Sequence, residues 1–219
     1  MARVAVYVDG FNVYHAIDRH CPQYHWLDYH QLAQCFTPPA DTLVSVVYFS
    51  AYAKWKIGGW KRHQDYVRAL DAVGVEAVLG HFKATSPRCP LCKQTYLTHE
   101  EKRTDVNIAL RVVRDAILDV YDRALILSAD GDLEPVWPTL KALHLEKRVG
   151  IVLPIGTQHT TLERAADFTL HLREAHLRQS QFPDVVVACD GTRIPKADEY
   201  RRKAEEFLRR MRLRDMDLP

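Results

Sequence analysis

The sequence predicts an α/β fold, a central and mostly parallel sheet with helices on both faces. Three observations carry that expectation. Short β-rich apolar runs alternate with segments of helical period. The stretches between successive runs are long enough for a helical crossover, as parallel strands require. Acidic residues stand directly after two of the runs, where open α/β sheets place their working sites.

Taken in order, Val4 to Val8 reads as a buried strand closed by Asp9-Gly10, and a helical segment follows with Asn12 near its start. Leu43 to Phe49 is a second strand. Gly59 to Val73 suits a helix with Tyr66, Leu70 and Val73 on one face. Val75 to Phe82 is a third strand, although Gly80 interrupts it. Asp105 to Val120 carries the clearest helical period, in Val106, Ala109, Leu110, Val113, Ile117 and Val120. Ala124 to Leu127 is a fourth strand, Leu133 to Leu143 a helix and Val149 to Leu153 a fifth strand. Two segments fall outside this pattern: a loop over residues 83–104 that carries Cys89 and Cys92, and the stretch after Gln181. In the latter, Pro195 is suited to open a helix, with Tyr200, Ala204, Phe207, Leu208 and Met211 as its apolar stripe. The expected organisation is one catalytic domain over residues 1–180, with the Cys-containing insertion, and an extension over 181–219 whose basic amphipathic helix packs on the domain.

The chain has 219 residues, 47% of them apolar and 26% charged, which suits a core-forming globular protein. It has no run of about eighteen apolar residues, so no membrane span is expected. Its first residues lack the features of a secretory signal, and a cytoplasmic protein is expected. The five cysteines therefore do not read as a disulfide framework. The net charge of +2 decides little, but residues 193–214 hold nine Lys/Arg against four Asp/Glu. That bias suits a polyanionic partner as well as an ordinary solvated helix face.

The carboxylates carry the chemical argument. Asp9 follows the first strand, Asp130 and Asp132 follow the fourth, and Asp105 lies near a helix start. With the first and fourth strands close together, these acids would meet at one edge of the sheet, and their repulsion would call for a cation. Oxygen donors suit a hard ion such as Mg²⁺ or Mn²⁺, and such an ion supports phosphodiester hydrolysis. Lys102 or Arg103 is placed to contact a phosphate, and Asn12 to orient a water or a carboxylate. Spacing alone fits a phosphatase or a phosphoacceptor domain equally. The absence of Asp-x-Asp after the first strand, where position 11 is Phe11, argues against aspartate-based phosphatases. The absence of Gly-x-Gly-x-x-Gly there argues against a nucleotide-cofactor enzyme.

Three segments, Val6-Tyr7-Val8-Asp9-Gly10-Phe11-Asn12, Glu101-Lys102-Arg103-Thr104-Asp105-Val106-Asn107 and Leu127-Ser128-Ala129-Asp130-Gly131-Asp132-Leu133-Glu134-Pro135, resemble in order the motifs of the NYN family, in the LabA-like (DUF88) branch of the PIN-like nucleases. Phe182-Pro183-Asp184 and Asp190-Gly191 extend the resemblance, which covers roughly residues 3–195. It implies a Rossmann-like PIN-type fold and a ribonuclease using Mg²⁺ or Mn²⁺. Its acids would be Asp9, Asp105, Asp130 and Asp132, with Asn12 as a polar partner and Ser128 as a supporting or substrate-binding group. Ala129 and Gly131 depart from the residues more usual at those positions, which bears on substrate positioning rather than on the acids. Glu100 and Glu101 read either as surface acids or as a further contact to the metal through water. The family's alternative is a non-catalytic RNA-binding or regulatory module on the same fold, and its members allow pairing into a homodimer.

Cys89-Pro90-Leu91-Cys92 is half of a zinc site. His81 and His99 are candidates to complete a structural Zn²⁺ set, and an unliganded pair or a disulfide is the alternative. Between the second strand and the next helix, Lys54, Trp55, Lys56, Trp60, Lys61 and Arg62 interleave cations with aromatics. That mixture suits single-stranded RNA, whose phosphates meet cations and whose bases stack on rings. The two tryptophans suit a cover over the core edge equally well.

Overall fold

The computed structural model describes residues 1–216, with side chains as far as Arg210. Strand β1 (Arg3–Asp9) is followed by α1 (Gly10–His20), α2 (Tyr29–Phe36), β2 (Thr42–Ser50) and α3 (Ile57–Asp71). Then come β3 (Glu76–Leu79), β4 (His81–Thr85), β5 (Thr98–Lys102), α4 (Thr104–Ile117), β6 (Arg123–Leu127), α5 (Val136–Ala142) and β7 (Arg148–Leu153). The chain continues through α6 (Thr160–Ala165), β8 (Thr169–His171), α7 (Glu174–Gln179), β9 (Val185–Val187), β10 (Arg193–Pro195) and α8 (Asp198–Met216). Six strands form one parallel sheet in the order β3-β2-β1-β6-β7-β8. The sheet is flanked by helices, in agreement with the expected PIN-like class.

β1 is apolar throughout because both of its faces are covered, as expected for a central parallel strand. Val4, Val6 and Val8 enter the core shared with α1, α2 and α3, whereas Ala5 and Tyr7 enter the core beneath α4 and α5. The register pairs Val8 with Leu127 and Asp9 with Phe49, so the ends of β1 and β6 lie side by side. Gly10 permits α1 to start against β2: a side chain there would come within 2.7 Å of the Phe49 carbonyl oxygen and collide with the Tyr48 ring.

Several elements differ from expectation. The third strand stops at Leu79, and after Gly80 the chain leaves the sheet to form an antiparallel hairpin of β4 and β5, with Phe82 opposite Glu101 and Thr85 opposite Thr98. Gly80 sits where the hairpin's two strands meet the domain, 2.9 Å for a notional Cβ from the Lys102 carbonyl oxygen. Helix α4 forms as expected but turns a different face inward. Thr104, Ile108, Val112, Asp115 and Ala116 are buried, whereas Val106, Leu110 and Ile117 are exposed. Asp115 explains the choice. It accepts from the Tyr7 hydroxyl (2.9 Å), from Arg111 (2.7 Å) and from Arg114 (2.8 Å), so a buried acid on that face is fully partnered.

Helix α2, capped by Asp28 on the N–H groups of His30 and Gln31, and edge strand β8 were not anticipated. Pro195 does not open the last helix. It closes β10, opposite Val185, and α8 begins at Asp198. Tyr200 is buried beside His25 and Trp26, and Lys203 bonds Asp18, so the first turns of α8 pack on the domain. Leu208 is exposed, and the Met211 side chain lies outside the described residues. Among the described residues no helix is long and apolar enough to cross a membrane.

Candidate active site

The carboxyl edge of β1 and β6 opens into a cleft of about 530 Å³ whose lining includes Asp9, Glu101, Asp105 and Asp130. Each acid arrives there for a local reason. Asp9 ends β1 and caps α1, accepting from the Asn12 N–H at 3.1 Å. Its other oxygen accepts from the Ser128 hydroxyl at 2.8 Å. Asp130 caps the short 3₁₀ turn Gly131–Leu133 through the Asp132 N–H. Asp105 stands in the first turn of α4, where the helix dipole favours an acid. Arg103 precedes it in the left-handed region (φ 81°) and sets the direction of entry into that helix.

The electrostatics follow from burial among like charges. Burial pushes the Asp9 carboxyl up to about 6, against the pull of the Asn12 N–H and the Ser128 hydroxyl, and Asp105 and Asp130 push it further. Burial also pushes Glu101 up to about 7, with Thr104 opposing and Asp9 and Asp105 adding repulsion. Asp105 is raised by burial, then by Asp130 and Asp132. Among the described residues none of Asp9, Glu101, Asp105 and Asp130 forms an ion pair. No three His, Cys, Asp or Glu side chains among those residues are close enough together to hold a metal as they stand. The donor set is nonetheless one of oxygens with strong mutual repulsion, which suits a hard divalent cation drawing the acids inward.

The expected site residues divide. Asp9, Asp105 and Asp130 share the cleft, whereas Asp132 is exposed at its rim, close enough to act on Asp105. The Asn12 side-chain oxygen accepts from the Ala129 N–H at 3.0 Å, so Asn12 ties α1 to the loop after β6 while lining the cleft. Ser128 is fully buried between Asp9 and the Asp130 N–H, and it therefore braces the acids and does not reach substrate. Lys102 pairs with Glu100 at 2.8 Å and, like the exposed Arg103, stays out of the cleft lining. For Lys102 the alternation of β5 explains this: Glu101 faces the acids, so Glu100 and Lys102 face away, whereas Arg103 lies past the strand in its left-handed turn.

Of the aromatic and basic loop, Trp55 and Lys56 line the cleft, and Trp55 stacks on His99 with ring centres 3.7 Å apart. Lys54 and Lys61 are exposed outside the cleft lining, and Trp60 is turned inward. Arg62 pairs with Glu199 at the wall of an inner cavity of about 190 Å³. Tyr14, Tyr48, Tyr66, Tyr200 and His63 share that wall, and Phe11, Tyr14, Ala53 and Lys56 border both spaces. Glu101, His15 and Phe82 also line the cleft but were not assigned to it from the sequence. For Glu101 the missing information was its strand partner.

The zinc set drawn from Cys89, Cys92, His81 and His99 does not form. His81 sits at the root of the ladder opposite Lys102, and His99 sits one pair inside its outer end opposite Ala84, with its ring stacked on Trp55. The cysteines lie beyond the last ladder pair, Thr85 with Thr98.

Comparisons with known proteins agree with this architecture. The chain is 25% identical to the 6-hydroxy-3-succinoylpyridine 3-monooxygenase of Pseudomonas putida, over 88% of this chain and 71% of that protein. A crystal structure of a protein of unknown function from Vibrio parahaemolyticus matches with a TM-score of 0.56 at 21% identity, covering 83% of this chain and 96% of the other, and shows a common fold. The model of the NYN domain, a family related to PIN-like nucleases, matches residues 3–173, most of the chain and all of the acidic cleft; the protein belongs to the NYN domain family.

Proposed function

We propose that the protein is a metal-dependent ribonuclease that hydrolyses phosphodiester bonds of single-stranded RNA at the acidic cleft. One observation carries the reading. Asp9 is buried beside Asp105, Asp130 and Glu101, and among the described residues none of them has an ion-pair partner, an arrangement that a divalent cation would relieve. Asp9, Asp105 and Asp130 would hold Mg²⁺ or Mn²⁺, with Glu101 facing them and Asp132 adding charge at the rim. The cation supplies an acidified water and offsets charge on the phosphate oxygens. Ser128 and Asn12 keep the ends of their strands in place, so the framework is already set when a cation draws the acid side chains together. Lys56 at the mouth meets a phosphate, and the stacked Trp55 and His99 offer a flat face to a base. The inner cavity, walled by tyrosines, is placed to take a neighbouring base.

The test is cleavage of a labelled single-stranded RNA with Mn²⁺ or Mg²⁺, by wild type and by Asp9→Asn and Asp130→Asn. Loss of cleavage in both variants, with the fold kept, is expected. Unchanged cleavage refutes the site, and binding without cleavage by wild type turns the reading into that of a non-catalytic RNA module. A second reading, oxidation of a small aromatic heterocycle, is favoured by the activity of the Pseudomonas relative together with the inner cavity. Incubation with 6-hydroxy-3-succinoylpyridine, dioxygen and a reductant separates the two, since only the oxygenase reading yields a hydroxylated product.

A further inference from the structure

The tip of the β4–β5 hairpin has a chemistry that the cleft does not use. Beyond the last ladder pair the chain narrows through the Arg88–Thr95 bridge and turns at Cys89-Pro90-Leu91-Cys92. The Cys89 N–H donates to the Gln94 carbonyl at 2.8 Å, and the Lys93 N–H donates to the Cys89 carbonyl at 3.0 Å. Lys93 takes a left-handed conformation (φ 59°), a costly choice for a side-chain-bearing residue. The turn so closed holds Cys89 and Cys92 three positions apart on one tight bend, both at least partly open to solvent. Two sulfurs on one closed turn form a preorganised bidentate ligand, but a closed zinc site needs four donors.

Among the described residues this chain does not supply the other two. His81 lies at the root and His99 one pair inside the outer end of the ladder, and Ala84 and His99 mark a level five residues short of Cys89, roughly 15 Å along an extended strand. Cys21 is buried at the end of α1, Cys35 lies beside Ser180, and Cys189 follows β9. Around the knuckle, Leu91, Tyr96 and Leu97 are exposed at 91%, 55% and 68%, a cluster of large apolar groups on a narrow arm.

We propose that the hairpin tip is half of a zinc site that a second copy of this chain completes, Cys89 and Cys92 of each copy forming one four-thiolate Zn²⁺ centre on a two-fold axis. A tetrahedral ion has two-fold axes that exchange its ligands in pairs, so identical bidentate tips satisfy it without any other donor. Binding displaces four thiol protons and leaves the centre with a charge of minus two. Arg88 and Lys93 flank each sulfur pair and offset that charge from both sides. The same closure brings Leu91, Tyr96 and Leu97 of the two copies within reach of one another, which accounts for their exposure in a single chain. The proposal is independent of what the cleft cleaves.

The experiment is zinc analysis with absolute mass on the full chain, purified in reductant without chelator. A dimer with about 0.5 zinc per chain is expected, converted to a zinc-free monomer by a strong chelator and restored by Zn²⁺. Cys92→Ser should be a zinc-free monomer whose circular dichroism and melting temperature match those of the chelated wild type. Substitution of Co²⁺ for Zn²⁺ should give the sulfur-to-metal charge-transfer bands of a tetrathiolate centre. One zinc per monomeric chain, a reduced protein that takes up no zinc, or a dimer that persists in Cys92→Ser would each overturn the proposal.

Discussion

Asp9 and Asp115 are both buried aspartates, and the molecule treats them in opposite ways. Asp115 lies inside α4, where two arginines and a tyrosine hydroxyl occupy its oxygens. Asp9, at the end of β1, receives one N–H and one hydroxyl, and the charges around it are negative. A buried acid that serves the fold is neutralised by the fold. A buried acid left uncompensated at the mouth of a sheet costs stability, and such a cost marks a site that a ligand completes.

The contrast can be broken by exchanging the roles. In the RNA assay with Mn²⁺, Asp9→Asn should lower single-turnover cleavage by about a thousandfold, some 4 kcal/mol of transition-state stabilisation. Asp115→Asn, measured below its melting temperature, should leave the rate within about threefold of wild type, half a log unit on the same scale. A similar loss in both would mean that burial, and not the missing partner, distinguishes functional acids.

Stability should reverse the order. Asp115→Ala strips the partner from Arg111 and Tyr7 and should cost about 3 kcal/mol in denaturant unfolding. For Asp9 the fold binds the proton more tightly than the unfolded chain does, because its carboxyl is raised from 3.8 to about 6. The resulting stabilisation is complete below about pH 4 and is lost as pH rises through 6. At pH 8 in chelator, Asp9→Asn should therefore be more stable than wild type by up to about 3 kcal/mol. The difference should vanish near pH 4 and shrink when Mn²⁺ is added, since the ion binds the folded acid. A destabilised Asp9→Asn at pH 8 would contradict the uncompensated charge.

Smaller effects sharpen the picture. With Asp9 near 6 and Glu101 near 7, the rate at fixed subsaturating Mn²⁺ should rise roughly tenfold from pH 5.5 to 7.5 and then level off. Glu101→Gln should remove the upper part of that rise, and an unchanged profile would take Glu101 out of the site. Smallest of all, Lys102→Ala should change cleavage by less than about twofold, because an exposed pair with Glu100 contributes little. A loss comparable to that of Lys56→Ala would show that Lys102 swings into the cleft.

That Asp9 and Asp130 would open on one edge was legible on the condition that their strands are neighbours, because parallel strands put their carboxyl ends on one side; the strand order itself was left open, and the pairing of β1 with β6 supplies it. What was not legible depended on partners remote in sequence. The helical period of α4 was read from Val106, Ala109, Leu110, Val113, Ile117 and Val120, of which Val106, Leu110 and Ile117 are exposed. The face with Asp115 wins because Tyr7 and Arg111 receive the acid, and Tyr7 lies 108 positions away. Glu101 could not be told from Glu100 until β5 was set against β4, because a one-residue change of register exchanges the two faces. Helix α2 at eight residues and β8 at three are too short for periodicity to speak.

The hairpin that leaves the sheet at Gly80 joins two tasks on one strand: β5 starts just inside the cysteine turn and ends by delivering Glu101 to the acids. For anyone transplanting or trimming that arm, the boundary is set by the molecule. A cut outside the rung formed by Thr85 and Thr98 exchanges only the terminal graft, whereas a cut further in resets the phase of the strand and turns a scaffold edit into the loss of a carboxylate from the acidic cleft.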